Sequence, residues 1–248
     1  MNTVIRKGYT YATWLFIGVD TAFWGTISLF SWFVSPKGDL AHFCMQNWSK
    51  NILWFCGIRY QVDGIENVSK EHVQIFASNH QSFFDIWLLS AIIPVKFGWT
   101  AKKELFKIPF MGWHMSLSGY IAIDRKNKER SRASMKEAAV KIRKGNRIMI
   151  FPEGTRSRTG VLQPFKKGLF YLCIETGVPI VPIYIHGTYQ RLKPETGDIN
   201  PGKVYVMIGE EMPTDEYTIN TIEKAMNDLR DRILTLQNEC LQRYGEAV

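Results

Sequence analysis

A histidine and an aspartate five residues apart, His80 and Asp85, are the first pair in this chain able to do chemistry together. They lie in Asn79-His80-Gln81-Ser82-Phe83-Phe84-Asp85, between apolar runs at 73–77 and 86–89. The first run reads as a buried strand and the second as the opening of a helix, which puts His80 at the turn between them. At about 100° per residue, positions five apart on one helix lie about 140° from each other and cannot pair. A His80–Asp85 contact therefore requires His80 to precede the helix and fold back on its first turn. There Asp85 accepts a hydrogen bond from one imidazole nitrogen and leaves the other as a general base. The alternative is a loop histidine and a helix-start aspartate that never meet.

A second stretch, Phe151-Pro152-Glu153-Gly154-Thr155-Arg156-Ser157-Arg158, follows an apolar run at 146–151. A strand end opening into a carboxylate, a glycine, two hydroxyls and two arginines suits an anionic ligand. Gly154 permits close backbone approach, and the planar fork of Arg156 matches phosphate oxygens. An ordinary polar turn is the competing reading. Two more cationic positions fall at strand ends: the adjacent Lys102 and Lys103, and Arg125 after the short strand expected over 119–125. Each can meet a phosphate, or else be surface charge, Arg125 as a weak pair with Asp124.

The elements that must position these residues alternate strand and helix from residue 58 onward. Strands are expected at 58–62, 73–77, 95–100, 119–125, 146–151, 178–187 and 203–209. Helices are expected after Asp85, over the basic stretch 128–144, over 164–176 and over 221–244. Pro179 and Pro182 fit a strand start or an edge strand at 178–187. The fold class is α/β: a single domain with a mixed, largely parallel central sheet flanked by helices.

Before it comes a different segment. Residues 8–36 are long enough to span a bilayer, but Asp20 interrupts them at a cost of about 2.5–3.5 kcal/mol on insertion scales. Residues 40–55 form a second, interfacial helix. The two read as a membrane-associated hairpin dipping into one leaflet. A single span by the first helix and a soluble helical pair packed on the core are the alternatives. The chain is thus divided into 1–57, membrane-associated, and 58–248, catalytic.

Composition agrees. The 248 residues are 46% hydrophobic and 22% charged, which excludes a disordered chain. A net charge of +8 implies an anionic partner, and eight tryptophans with fifteen phenylalanines favour lipid over nucleic acid. The four cysteines lack metal spacing and read as reduced thiols, so no metal is expected. A G-x-S-x-G elbow, an H-E-x-x-H helix and a P-loop are all missing from the sequence.

Four stretches now stand in order: 79–85, 119–125, 151–157 and 178–182. In this the chain resembles the 1-acyl-sn-glycerol-3-phosphate acyltransferase family over roughly residues 60–210. The resemblance implies that His80 is the general base and Asp85 its orienter. Arg125, Glu153, Gly154, Thr155, Arg156 and Lys102 would shape the acceptor phosphate site, and Pro182 would serve the acyl groove or the structure. It implies acyl transfer from acyl-CoA or acyl carrier protein to lysophosphatidic acid with no cofactor, at the cytoplasmic face of the inner membrane, monotopic or single-span. Backbone amides at the start of the helix after His80 are expected to stabilise the oxyanion. An acceptor that is another lysolipid or phosphorylated molecule is the nearest alternative. A non-catalytic lipid-binding protein is a more distant one.

Overall fold

The structure is a computed structural model that describes residues 3–35, 38–124 and 128–245. Two helices open it, α1 (Thr3–Val34) and α2 (Asp39–Phe55), the second begun at Gly38 in the left-handed conformation. They run antiparallel. Phe16 stacks on Phe55 with ring centroids 4.0 Å apart, and the Trp48 indole N–H donates to Thr21 Oγ1 at 3.1 Å. Asp20, which breaks the apolar run, faces this seam: its Oδ1 accepts from the Asn51 side-chain amide at 3.0 Å. A carboxylate that would be costly in lipid is thus turned inward.

The α/β body follows: β1 (Ile58–Asp63), β2 (Ile75–Ser78), α3 (Phe84–Ile92), β3 (Phe97–Lys102), α4 (Met111–Leu117), β4 (Ile121–Ile123), α5 (Lys128–Arg143) and β5 (Arg147–Ile150). Then come α6 (Gly168–Thr176), β6 (Ile180–His186), α7 (Thr188–Arg191), β7 (Gly202–Ile208) and α8 (Ile222–Tyr244). Among the described residues the strands form one sheet in the order β1-β7-β6-β2-β5-β3-β4. Every neighbouring pair is parallel except β6–β7. The expected mixed, largely parallel sheet is therefore observed.

The continuous apolar runs of β2, β5 and β6 are explained by burial on both faces. Phe76, Met149, Val181 and Ile183 pack on one side with α3 and the N-terminal helices. Ile75, Ala77, Ile148 and Ile180 pack on the other against α5, α6 and α8. Ile52, Leu53 and Cys56 of the N-terminal pair belong to the first of these clusters. No linker separates the pair from β1, because the turn at Cys56–Gly57 leads straight into it.

Two expectations need correction. The helix at 164–176 starts only at Gly168, because residues 164–167 form a loop whose Lys166 N–H bonds the Pro152 carbonyl at 2.7 Å. β6 is not an edge strand but lies between β7 and β2. Its proline is accommodated by a bulge: Ile180 bridges Met212 while Ile183 pairs with Ile208, so the partner carries one extra residue beside Pro182. The missing Pro182 N–H falls where the ladder is already interrupted, and its carbonyl still accepts from Gly209 N–H at 2.9 Å.

Candidate active site

β2 delivers the chain to the carboxyl end of the sheet, where crevices form in open α/β folds. Asn79 fixes the exit. Its side-chain oxygen accepts from Ile185 N–H at 2.7 Å and its amide donates to the Ile185 carbonyl at 2.9 Å. The chain then folds back over the first turn of α3. Asp85 Oδ2 accepts from the backbone N–H groups of Gln81 at 2.6 Å and Ser82 at 2.8 Å, and from His80 Nδ1 at 2.8 Å. His80 precedes the helix, as pairing across five residues demands. The carboxylate is wholly buried, and its second oxygen accepts from Thr188 Oγ1 at 2.5 Å. A carboxylate facing Nδ1 fixes the imidazole proton there and leaves the lone pair on Nε2.

The other face of the imidazole is covered. Phe151, at the end of β5, stacks on it with centroids 3.8 Å apart and planes within 6°. The turn that follows depends on Gly154, whose φ of 74° is strained for any side chain. This turn is stitched to the histidine loop through Ser157 N–H, which donates to the His80 carbonyl at 2.7 Å.

Glu153 departs from expectation. Its side chain points inward and is buried; Oε1 accepts from His80 N–H at 2.6 Å and Oε2 from Gln163 N–H at 2.9 Å. Burial pushes its carboxyl up to about 7 against the opposing pull of those amides. Glu153 therefore braces the loop and does not face a phosphate. The oxyanion expectation also fails at particular atoms. The amides of Gln81 and Ser82 are committed to Asp85, and that of His80 to Glu153.

His80 lines a cavity of about 510 Å³. Met45 and Trp48 of α2, Trp99 of β3, Met115 of α4 and Tyr120 give it an apolar wall. Lys102, Thr155 and Arg156 join His80 at the polar part of its lining. The Arg156 guanidinium lies 3.9 Å over the Phe83 ring, which holds the charge in place. The cavity separates the two lysines: Lys102, its Nζ 3.9 Å from Glu104, is in the lining, and Lys103, its Nζ 3.8 Å from Asp124, is not. Arg125 lies outside the described residues. Pro182 faces the same side of the sheet as Ile180 and Tyr184, near Gly209 and Leu236, and is not in the lining of the cavity that holds His80.

Thr188 escaped the sequence reading. Its only signal is a hydroxyl just past the apolar strand, after Gly187 in the left-handed conformation. The apolar wall was equally hidden, because it joins α2 to β3 and α4 across more than forty residues.

The fold and site together define an α/β protein in which an oriented imidazole stands between an apolar cavity wall and cationic side chains at the carboxyl end of the sheet. The chain belongs to the acyltransferase family. The family model described as Acyltransferase matches residues 59–186. A 1-acyl-sn-glycerol-3-phosphate acyltransferase of Pseudomonas aeruginosa is 32% identical, the match covering 82% of this chain and 80% of that protein. One from Saccharomyces cerevisiae is 36% identical, but the match covers 74% of this chain and only 61% of the yeast protein's length. Among solved structures, the 1-acyl-sn-glycerophosphate acyltransferase PlsC of Thermotoga maritima superposes with a TM-score of 0.84 at 26% identity. That match covers 96% of this chain and 97% of PlsC.

Proposed function

We propose that this protein transfers a fatty acyl group from an acyl thioester to the sn-2 hydroxyl of lysophosphatidic acid, giving phosphatidic acid. The observation that carries the reading is the His80–Asp85 pair beside a cavity that is apolar on one side and lined by Arg156 and Lys102 on the other. His80 Nε2 takes the proton of the acceptor hydroxyl as its oxygen attacks the thioester carbonyl. Asp85 stabilises the imidazolium that forms. The tetrahedral intermediate collapses with cleavage of the carbon–sulfur bond, and the leaving thiolate takes the proton from His80. The acceptor phosphate pairs with Arg156 and Lys102, near the Thr155 hydroxyl, and this positioning supplies much of the rate. The acyl chain of the donor occupies the apolar wall. The donor is acyl-CoA or acyl carrier protein, and no cofactor takes part.

α1 is the one helix among the described residues long and apolar enough to cross a membrane. A monotopic reading is better supported. The helix lies along the body, with Trp14 Nε1 donating to the Gly197 carbonyl at 2.8 Å and Ser28 Oγ 2.5 Å from His114 Nδ1. Tyr11, Leu15, Val19, Phe23 and Phe30 leave an exposed apolar stripe at helical spacing. Residues 1–57 then serve as the membrane-associated unit and 58–248 as the catalytic unit, at the cytoplasmic face of the inner membrane.

The test is thiol release from palmitoyl-CoA or palmitoyl carrier protein, with lysophosphatidic acid present or omitted. Release should need the acceptor and fall by at least about 100-fold in His80→Ala. Folded His80→Ala protein with near-full turnover would overturn the scheme. A panel of other lysolipids and phosphorylated acceptors settles acceptor choice.

A further inference from the structure

Among the cavities the mechanism does not use, one borders the catalytic space. It has a volume of about 290 Å³ and lies on the α5–α6 side of the sheet, opposite the N-terminal helices. Its lining includes Ile123, Ile150, Met135, Leu169, Gly154 and Lys166. Thr100 and Phe151 belong to both this cavity and the one that holds His80. The ring that stacks on the catalytic imidazole therefore borders both spaces.

We infer that this second cavity receives the phosphopantetheine arm of the acyl donor, with Lys166 at its mouth taking the arm's phosphate. The inference rests on the acyl-transfer reading above. A thioester has two substituents, and once its carbonyl is at His80 they must leave in different directions. The acyl chain has the larger apolar wall, built partly from α2 on the side bearing the exposed apolar stripe. The thiol side ends in a polar, charged carrier that belongs in water, so its arm must cross to the opposite side of the sheet. The second cavity is the space that shares Phe151 and Thr100 with the first and lies on that side.

Its chemistry suits the arm. Apolar side chains face the dimethyl group, and backbone at two glycines, Gly154 and Gly168, meets the amides. A Cβ at Gly154 would come within 3.3 Å of Lys166 Cγ, so a side chain there would crowd the mouth. Lys166 is exposed, and no carboxylate pairs with it among the described residues. CoA and carrier protein share this arm and phosphate, so both sources fit one site.

Two substitutions separate the parts. Lys166→Glu removes the phosphate contact. Gly168→Leu fills the cavity at a point where a Cβ meets only the end of the Met135 side chain, Sδ at 3.7 Å and Cε at 3.8 Å. Lys166→Glu should raise KM roughly tenfold for palmitoyl-CoA and palmitoyl carrier protein while sparing palmitoyl-pantetheine, which lacks the phosphate. Gly168→Leu should raise KM for all three and spare palmitoyl-N-acetylcysteamine, which lacks most of the arm. KM for lysophosphatidic acid should stay unchanged in both. Equal loss with every donor, no change with any, or a shift in the acceptor KM alone would overturn the inference. If thermal melting shows Gly168→Leu unfolded, Met135→Phe fills the same space from α5. Calorimetric binding of S-hexadecyl-CoA, which cannot transfer its chain, keeps the two proposals apart. Wild-type binding weakened by Lys166→Glu, with no turnover of any donor, would sink acyl transfer and leave the arm site standing. Binding that Lys166→Glu leaves unchanged would sink the arm site alone.

Discussion

Asp85 is bonded on both oxygens, to His80, two backbone amides and Thr188, and each partner comes from a different part of the loop–helix junction or from beyond β6. On the proposed mechanism Thr188 is a positioning residue that acts through Asp85. Thr188→Val removes a hydrogen bond to a charged group, worth about 1.5–3 kcal/mol, without touching substrate. We expect kcat to fall roughly tenfold with KM for acceptor and donor unchanged, and Thr188→Ser to restore most of it. A KM effect of equal size would place Thr188 among the binding groups instead. Glu153 gives a pH signature. Its carboxyl rises from an ordinary 4.5 to about 7, chiefly through burial. Between those values the folded protein keeps a proton that the unfolded chain releases. Its contribution to stability is full below about pH 4.5 and lost as pH rises to about 7, on the order of 3 kcal/mol. The melting temperature of the wild type relative to Glu153→Gln should fall across that window. A flat difference would mean that Glu153 is ionised throughout. At this scale the sequence was readable where geometry is local. The spacing of five and the period of a helix say where His80 must lie if it is to pair with Asp85, and the other motifs of the chain, not the spacing alone, argue that it does. The inward turn of Glu153 and the Thr188 contact have no such signal, because their partners lie 73 and 103 residues away.

At the scale of elements, apolar periodicity placed every strand and the long helices within a few residues. What it missed was which strands are neighbours. Prolines in 178–187 fitted a strand start or an edge; Pro179 does precede the strand, yet β6 is central because a bulge beside Pro182 absorbs the missing donor. The seam between α1 and α2 was similarly disguised. Asp20 reads in sequence as a defect in a membrane helix, and in the fold it is the partner of Asn51. Asn51→Ala should therefore leave a buried carboxylate without that donor. We expect a loss of about 1–3 kcal/mol, seen as a lower melting temperature in detergent, and Asn51→Gln to recover part of it. An unchanged melting temperature would indicate that water replaces the amide.

At the scale of the molecule, the sheet divides two environments. One side carries the N-terminal helices, with their exposed apolar stripe, and the larger cavity; the other carries the basic α5 and the smaller cavity. Replacing Leu15 and Phe23 together by serine removes apolar surface worth about 1.5–3 kcal/mol per side chain in contact with lipid. The double variant should move from the membrane pellet to the soluble fraction while keeping turnover of a short-chain, water-soluble acceptor. Retention in the pellet would assign membrane contact to another surface.

The bond from Trp14 to Gly197 joins residues 183 positions apart in the chain. A ribosome adding about 5–20 residues per second reaches Gly197 some 10–40 s after it has passed Trp14. Throughout that interval α1 exists without the loop that will cover its inner side, and only α2 follows it closely enough to shield the Asp20 seam early. On the monotopic reading proposed above, the nascent helix is free to meet lipid before it meets the rest of its own chain. Membrane attachment would then precede assembly of the site, and the order of events during synthesis, not only the final structure, would bring the protein to the surface where it is proposed to work.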